Sequence, residues 1–442
     1  MDAPGGQGLQ QTGMVAAVAA GDKAGLQRSS TVSESTSPPS WFKRAGLLPR
    51  ESLLRPRSDE QQSKVTNIEL FFDLVFVYAV TQLSHTLLHQ LDAVGALQVL
   101  LLFLAVWWVW IFTGWVTNWL DPERPAVRLA LLALMLAGLL LSIALPQAFA
   151  ERGMLFAGAY VFMQVSRTLF VLWAIGDASP ANTRNFQRIA VWLVISGTLW
   201  LIGGWHEGLW RGGFWVAALA IEYVGPAVTF HVPGLGHSST EDWDIDGGHL
   251  AERCSQFVII ALGESVVVTG SSYAETLREP QALLAFLSAF IGSVAMWWIY
   301  FDIGAERGSR SIKQADDPGR SARLAYTYLH LLIVAGIIVS AVADELTLRG
   351  GKPGSGWVET AVLLGGPALY LLGNALFKKA VNATHLPLSH LVGLALLALL
   401  AATHAHWSLV GLGVATTVVL LIVAFWEMRA LRDVRAELER AS

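Results

Sequence analysis

Apolar and polar positions divide the chain into a long polar beginning and a series of apolar runs. From Asn67 onward an apolar stretch recurs roughly every 25 to 35 residues, each about one bilayer thickness long. A spanning helix needs about 20 such residues, so the pattern predicts an all-α, polytopic integral membrane helical bundle. About twelve transmembrane helices are predicted, near residues 67–89, 96–117, 127–149, 154–174, 188–206, 213–230, 251–272, 281–304, 324–347, 358–379, 386–403 and 407–428.

The same pattern predicts the domain organisation. Residues 1–64 are rich in Gly, Ser, Gln, Pro and charge, which is typical of a disordered tail. We expect a first six-helix half over 65–237, an acidic linker over 238–248, a second half over 249–429 and a short charged tail over 430–442. The motif from Glu69 to Val77 resembles the motif from Glu252 to Ile260. This similarity favours two parallel six-helix repeats, and a chance likeness of aliphatic runs is the alternative.

Composition supports lipid as the solvent. The chain is 54% hydrophobic and 14% charged, whereas a soluble domain carries about 25% charged residues. The net charge of −4, with no basic cluster among aromatic residues, argues against nucleic acid as a partner. The single cysteine, Cys254, excludes a disulfide framework and a multi-thiolate metal site. The expected partners are the lipid bilayer and a small ion or solute, and no pattern names a cofactor.

Basic residues near the predicted helix ends set the topology. With the N-terminus inside, the inner side receives Lys43, Arg44, Arg50, Arg55, Arg57, Lys64, Arg124, Arg128, Arg184, Arg188, Arg307, Arg310, Lys313, Arg320, Arg323, Lys378, Lys379, Arg429, Arg432, Arg435 and Arg440. The outer side receives only Arg152, Arg211, Arg278, Arg349 and Lys352. Because cytoplasmic loops carry the excess of Lys and Arg, both termini are expected in the cytoplasm.

Ionisable side chains inside the predicted spans are the candidate site. Such groups cost a few kcal/mol each in a membrane and usually face a partner or a watery cavity. The candidates for binding an ion or solute are Glu69, Asp73, Glu252, Glu264, Asp302 and His330. The candidates for charge pairing are Arg167, Glu222 and Arg253. The alternative is that these charges only fix helix packing or extend to the interface.

Depth separates Glu264 from the other candidates. A rise of about 1.5 Å per residue places most of these groups toward the inner face and Glu264 beyond the middle of its span. A mid-span acid is the hardest to explain by extension to the interface, so Glu264 is the strongest functional candidate. His85 and His89 share a helical face with a spacing that suits zinc, but no carboxylate accompanies them. We therefore predict interfacial histidines and no metal site.

Several motifs resemble the bacterial low temperature requirement A (LtrA) family. The first runs Glu69-Leu-Phe-Phe-Asp73-Leu-Val-Phe-Val-Tyr-Ala-Val-Thr81-Gln82-Leu-Ser-His85, and the second is Trp107-Trp108-x-Trp110 followed by Thr113, Trp115, Asn118, Asp121 and Arg128. The third runs from His249 through Glu252-Arg253 to Gly263-Glu264-Ser265, and the fourth is Trp297-Trp298-Ile-Tyr-Phe-Asp302. One departure is Ser255-Gln256, where the family has Gly-Leu. The resemblance implies a multi-pass protein of the bacterial inner membrane that is required for growth in the cold, and it supplies no substrate.

Three functions compete. A transporter or channel would bring Asp73, Glu252, Glu264 and Asp302 together across an inner-facing polar cavity. An intramembrane enzyme acting on a lipid would place an acid–base group, Asp73, Glu264 or His330, beside a lateral opening. A scaffold or sensor would pair all of these charges. We favour the transporter or channel because no nucleophile–base pair or metal triad can be identified from spacing.

Overall fold

In the computed structural model, twelve long helices follow one another along the chain, over the residues that the structure describes: 53–55, 64–176, 179–238, 247–276, 280–302, 318–350, 356–381, 385–430 and 432. The first six are α1 (Asn67–His89), α2 (Ala93–Trp119), α3 (Pro125–Ala144), α4 (Gly153–Ile175), α5 (Pro180–Trp205) and α6 (Gly208–Val224). The second six are α7 (Gly247–Thr276), α8 (Pro280–Phe301), α9 (Pro318–Leu348), α10 (Trp357–Val381), α11 (Leu388–Ala402) and α12 (Leu409–Ala430). The prediction of an all-α membrane bundle is confirmed.

Local sequence explains where the helices begin and end. Asp92 caps α2 by accepting a hydrogen bond of 2.7 Å from the backbone nitrogen of Gly95. Proline occupies the first position of α3 and α5, where its missing N–H costs nothing. Gly176, with a φ of 51°, ends α4 in a backbone conformation that favours glycine.

Ten of the twelve helices are long and apolar enough to cross a membrane, in the part of the chain that is described. The other two, α6 and α11, are shorter, with 17 and 15 residues. Large apolar side chains face outward along the bundle, for example Leu97, Leu129 and Val267 with exposed fractions of 66%, 67% and 63%. Outward leucine and valine of this kind are stable against lipid and costly against water.

The end of the sixth helix and a segment inside the ninth depart from the sequence prediction for local reasons. The sixth helix was expected over 213–230, but α6 ends at Val224 because Gly225 and Pro226 turn the chain. A tight turn follows, in which the backbone nitrogen of Phe230 donates to the carbonyl of Gly225 at 2.8 Å. Within α9, residues Arg323–Leu329 form a π-helical segment that hydrophobic periodicity does not reveal.

Three residues of the predicted N-terminal tail pack against the bundle. Leu53 is 4% exposed, and Leu54 forms an isolated antiparallel bridge with Leu120 at the end of α2. The backbone nitrogen of Arg55 donates to the carbonyl of Trp119 at 2.8 Å. The rest of the predicted tail before Lys64, most of the acidic linker and the C-terminal tail beyond Arg432 lie outside the described residues.

Helices α9 and α10 approach closely at glycines. A Cβ atom placed on Gly336 would lie 2.5 Å from the backbone nitrogen of Tyr370, and one on Gly366 would lie 2.6 Å from Ser340. Such distances admit only glycine unless the helices separate. Gly336 and Gly366 are therefore close-packing residues of the α9–α10 contact.

Candidate functional site

The first and seventh helices lie side by side, as expected if their acids and bases converge. We call the contact between them the α1–α7 seam. Arg253 on α7 reaches both Glu69 and Asp73 on α1, and Glu264 on α7 reaches Thr81 on α1. Because residue numbers rise together along this seam, the two helices run parallel. The seam therefore holds four of the predicted site residues at two different levels.

Glu69 lies in the first turn of α1 and stabilises the start of that helix. Its Oε2 accepts hydrogen bonds of 2.9 Å from both the backbone nitrogen and the hydroxyl of Thr66. A threonine three residues before a glutamate at a helix start is the capping-box pattern. The guanidinium of Arg55 also donates to Glu69 Oε2, at 3.4 Å. One carboxylate oxygen is thus occupied by the helix cap and by the segment that precedes it.

Arg253 bridges the two acids of α1. Its Nη1 donates to Glu69 Oε1 at 3.2 Å, and its Nη2 donates to Asp73 Oδ1 at 2.5 Å. Glu69 and Asp73 lie one helical turn apart on one face, which is the spacing that a single guanidinium can span. A further bond of 3.2 Å runs from Nη1 to the hydroxyl of Thr117 on α2.

His249 completes what we call the acid–arginine cluster: Glu69, Asp73, His249 and Arg253. The Nε2 atom of His249 lies 2.9 Å from Glu69 Oε1. All four side chains are buried, with exposed fractions of 0% or 1%. Ion pairs that are removed from water this completely hold only when each charge is matched and hydrogen-bonded.

Aromatic rings enclose the cluster on the α2 side. Trp110 Nε1 donates to Asp73 Oδ1 at 2.7 Å, and the Arg253 guanidinium carbon lies 5.8 Å from the Trp110 ring centroid. The Phe72 ring centroid lies 6.0 Å from the same carbon. The rings exclude water and add cation–π attraction, so the cluster joins α1, α2 and α7 at one level.

Glu264 lies in different surroundings on the same seam. It is half-buried, near the middle of the 30-residue helix α7. The hydroxyl of Thr81 donates to its Oε1 at 2.5 Å. Among the described residues, Thr81 is its hydrogen-bond partner and no basic side chain pairs with it. The neighbours Gly263 and Val267 on α7 are exposed.

Glu252 is adjacent to the acid–arginine cluster in sequence but faces elsewhere. Its Oε2 accepts from the backbone nitrogen of Val65 at 3.3 Å, and its Oε1 accepts from Gln256 Nε2 at 3.3 Å. Asp302 directly follows α8 and is half-buried. Its backbone nitrogen donates to the carbonyl of Trp298 at 3.0 Å, so it continues the last turn of that helix.

His330 lies where the π-helical segment of α9 returns to α-helix. Its Nδ1 lies 2.9 Å from the carbonyl of Ala325, and its Nε2 lies 2.7 Å from the hydroxyl of Tyr300. That hydroxyl lies 3.4 Å from Ser255 Oγ on α7. A chain of hydrogen-bonding groups therefore connects α9, α8 and α7 through His330, which is itself fully buried.

Side chains of α2 satisfy carbonyl and hydroxyl groups of the π-helical segment. Trp107 Nε1 donates to the backbone carbonyl of Thr327 at 2.7 Å, and Trp115 Nε1 donates to the Thr327 hydroxyl at 3.0 Å. π-Helical turns disturb the regular backbone ladder and occur frequently at functional sites. Trp107 and Trp115, which belong to the second sequence motif, thus hydrogen-bond to the π-helical segment.

Arg167 and Glu222 belong to a second buried network, between α4, α5 and α6. Gln164 lies between them, because its Oε1 accepts from Arg167 and its Nε2 donates to Glu222 Oε2 at 3.0 Å. Glu222 also accepts from the Tyr160 hydroxyl and, at 3.0 Å, from Trp200 Nε1. Arg167 Nη1 donates at 3.0 Å to the Val109 carbonyl. The charges are linked through an amide and not by direct contact.

The two histidines near the end of α1, His85 and His89, contact each other through the backbone. His89 Nδ1 lies 2.7 Å from the backbone carbonyl of His85, one turn earlier. Across the described part of the chain, no group of three or more His, Cys, Asp or Glu side chains is arranged to hold a metal ion.

Three cavities lie near these networks. One of about 360 Å³ opens beside the start of α1 and is lined by Thr66, Asn67, Ile68, Phe71, Glu123 and Arg128. One of about 150 Å³ lies beside Arg167 and is lined mainly by apolar residues of α2, α3 and α4. A groove of about 840 Å³ runs between α2 and α6, and the described residues that line it include no acid.

Sequence reasoning missed several members of these networks. The spacing of His249 and Arg253 on α7 repeats that of Glu69 and Asp73 on α1, and this matched spacing was a usable signal. Lys378 was placed at the inner end of the tenth predicted span with no partner assigned, and its Nζ contacts the Glu427 carboxylate, which also lies 3.3 Å from His390 Nδ1. Asp344, inside the predicted ninth span, was not noticed although it is ionisable.

The helices, their apolar outer faces and the buried charge networks define a polytopic α-helical membrane protein. A family model described as "Bacterial low temperature requirement A protein (LtrA)" matches residues 64–425, and the chain belongs to that family. The chain is similar to "Uncharacterized protein RA0937" of Rhizobium meliloti (strain 1021), with 42% identity over 382 residues, which cover 86% of this chain and 92% of the relative. No solved structure matches the chain.

Proposed function

We propose that this protein is a transporter or channel that moves a small cation or proton across the membrane, with Glu264 as the group that binds it. The observation that carries the proposal is the position of Glu264, a mid-helix carboxylate whose described partner is a hydroxyl and not a base. A charged acid at membrane depth needs compensation. Where the protein supplies no cation, a proton or a bound ion supplies the charge.

The acid–arginine cluster has a different role in this proposal. Its acids already pair with Arg253, and Glu69 also pairs with Arg55, so an ion that entered there would compete with a guanidinium. We assign the cluster to holding α1, α2 and α7 in register, on the side of the seam next to the cavity that opens at the start of α1. By the charge asymmetry of the loops, this is the cytoplasmic side of a bacterial inner membrane.

The lipid-enzyme alternative requires an acid beside a lateral opening. The described lining of the large groove between α2 and α6 contains none of the candidate acids, and the described linings of the other two cavities contain none of them either. The preference for transport therefore rests on the hydroxyl partner of Glu264 and not on a cavity. The scaffold alternative accounts for the paired charges of the acid–arginine cluster but leaves Glu264 unexplained.

Ion flux through the purified protein in liposomes tests the proposal. Internal pH, sodium and potassium are followed with dyes under imposed gradients, for the wild type, Glu264→Gln and the matched control Glu151→Gln, whose carboxylate is exposed outside the helices. We expect wild-type and control liposomes to conduct one of these ions and Glu264→Gln liposomes to match empty ones. Absence of wild-type flux under every gradient would reject the proposal and make lipid extracts the next substrate to test.

If the wild type and Glu264→Gln conduct equally, the protein is a transporter or channel, but Glu264 is not the group that binds the ion. Each variant is first compared with the wild type by size-exclusion chromatography, so that lost flux is not mistaken for lost folding.

A further inference from the structure

Toward the other end of the bundle, α9 carries Asp344, a second acid that no described basic side chain contacts. Asp344 follows His330 by 14 positions, which is about 21 Å along a helix. It is half-buried and lines a cavity of about 30 Å³ between α8, α9, α10 and α12. Within the described ranges, no base and no hydrogen-bond donor reaches its carboxylate.

Hydroxyl groups line the same cavity. The oxygen-bearing side chains that line the cavity are Ser293, Ser340, Asp344, Thr347, Thr416 and Thr417. Ser293 and Ser340 are 4% and 5% exposed, and their hydroxyl oxygens are buried without a hydrogen-bond partner among the described residues. A buried polar atom without a partner is uncommon and calls for an explanation, such as a ligand or an ion.

The hydroxyl oxygens of Thr347 and Thr416 keep lone pairs that can accept a further bond. The hydroxyl of Thr347 donates to the carbonyl of Ala343 at 2.7 Å, and that of Thr416 donates to the carbonyl of Leu412 at 2.9 Å. A hydroxyl has one proton and two lone pairs, so each oxygen remains able to accept. These two groups therefore offer acceptors and no donors toward the cavity.

Proline adds a backbone acceptor to the same wall. Pro367 lies inside α10 and has no N–H, so the carbonyl of Leu363 loses its helical donor. Both residues line the cavity. In several secondary transporters, backbone carbonyls that have lost their helical partner coordinate sodium.

We propose that Asp344 and the oxygens around it form a binding site for one dehydrated monovalent cation of the size of sodium. Carboxylate, hydroxyl and carbonyl oxygens are the ligands that hard cations prefer. A cavity needs about 10–15 Å³ to hold one water molecule, so about 30 Å³ accommodates one small ion without its hydration shell. Asp344 is the one acid in the described lining, and a single negative charge balances a single positive charge. The site does not depend on transport through Glu264.

Thermal unfolding of the purified full-length protein in detergent tests this site. The probe ions are sodium, lithium and potassium chloride, each compared with choline chloride at equal concentration. We expect sodium to raise the unfolding midpoint of the wild type by about 2–5 °C through preferential binding to the folded state. Asp344→Asn should abolish this shift, and the neighbouring Glu345→Gln should keep it, because Glu345 pairs with Arg349 outside the cavity.

The proposal would be overturned if the wild type had the same thermal unfolding midpoint in sodium, lithium, potassium and choline chloride. If Asp344→Asn does not fold, Ser340→Ala replaces it, since this variant removes one ligand and keeps the charge. Ser340→Ala should then need a higher sodium concentration for the same shift, and an unchanged sodium dependence would count against the site. Because the measurement reports binding, its failure is distinguishable from a failure of the flux experiment.

Discussion

Asp73 and Glu264 lie on the same α1–α7 seam and differ in how their charges are compensated. Asp73 is fully buried and accepts hydrogen bonds from Arg253 and Trp110. Glu264 is half-buried and accepts from the neutral Thr81 hydroxyl. In a membrane a matched acid behaves as a structural joint between helices, whereas an unmatched acid needs an exchangeable cation. Position inside a span therefore does not by itself separate a functional acid from a structural one.

Removing Arg253 should have the largest effect on stability. Arg253→Gln leaves Glu69 and Asp73 buried without their shared cation, and breaking a buried ion network in this way costs about 3–5 kcal/mol. We expect a large fall in the thermal unfolding midpoint in detergent and loss of monodisperse protein.

The control for this prediction removes both acids together with Arg253. The triple variant Glu69→Gln, Asp73→Asn and Arg253→Met should recover part of the lost stability, because no buried acid is left without its cation, although Arg55 loses its pairing with Glu69. A single Arg253→Gln variant as stable as the wild type would show that the cluster does not hold the helices together.

The α9–α10 contact offers a second comparison, because glycine and not charge brings these helices together. Gly336→Ala places a methyl group against the Tyr370 backbone and should destabilise the fold by about 1–3 kcal/mol. Gly365→Ala on α10 is the matched control, since among the described residues no atom outside its own stretch of helix lies within 4 Å of its added Cβ. That control should be neutral or slightly stabilising, by up to about 1 kcal/mol, because alanine favours helix. Equal unfolding midpoints for the two variants would contradict close packing at Gly336.

Apolar run length was sufficient to predict the helices of this protein. The run from Asn67 to His89 was predicted to the residue, because a polar segment precedes it and Gln90 and Asp92 follow it. The sixth helix was misplaced because α6 is short and rich in glycine, and its apolar signal continues into the turn at Gly225 and Pro226. The π-helical segment of α9 could not be predicted, since it depends on the tryptophans of α2 that satisfy it.

The candidate site was predictable in its residues and not in its pairings. Glu69, Asp73 and Arg253 stood out because charge inside an apolar run is rare. Which acid pairs with which base depends on how each helix is rotated about its own axis. The sequence alone does not determine that rotation. Gln164 illustrates the difficulty, because an uncharged amide connects Arg167 to Glu222 and carries no signal in a search for charges.

Glu264→Gln should have the smallest effect on stability, and this sharpens the contrast with Asp73. Glutamine keeps a side-chain oxygen to accept from Thr81, so at most about 1 kcal/mol of unfolding free energy should change. The variant should be the more stable protein, because it removes a charge that no described basic side chain balances. Asp73→Asn, measured beside it by thermal unfolding, should cost several times more because Arg253 loses one of its two acids. Comparable losses in the two variants would make Glu264 a structural acid like Asp73, whereas a stable Glu264→Gln variant without flux would separate the two roles on one seam.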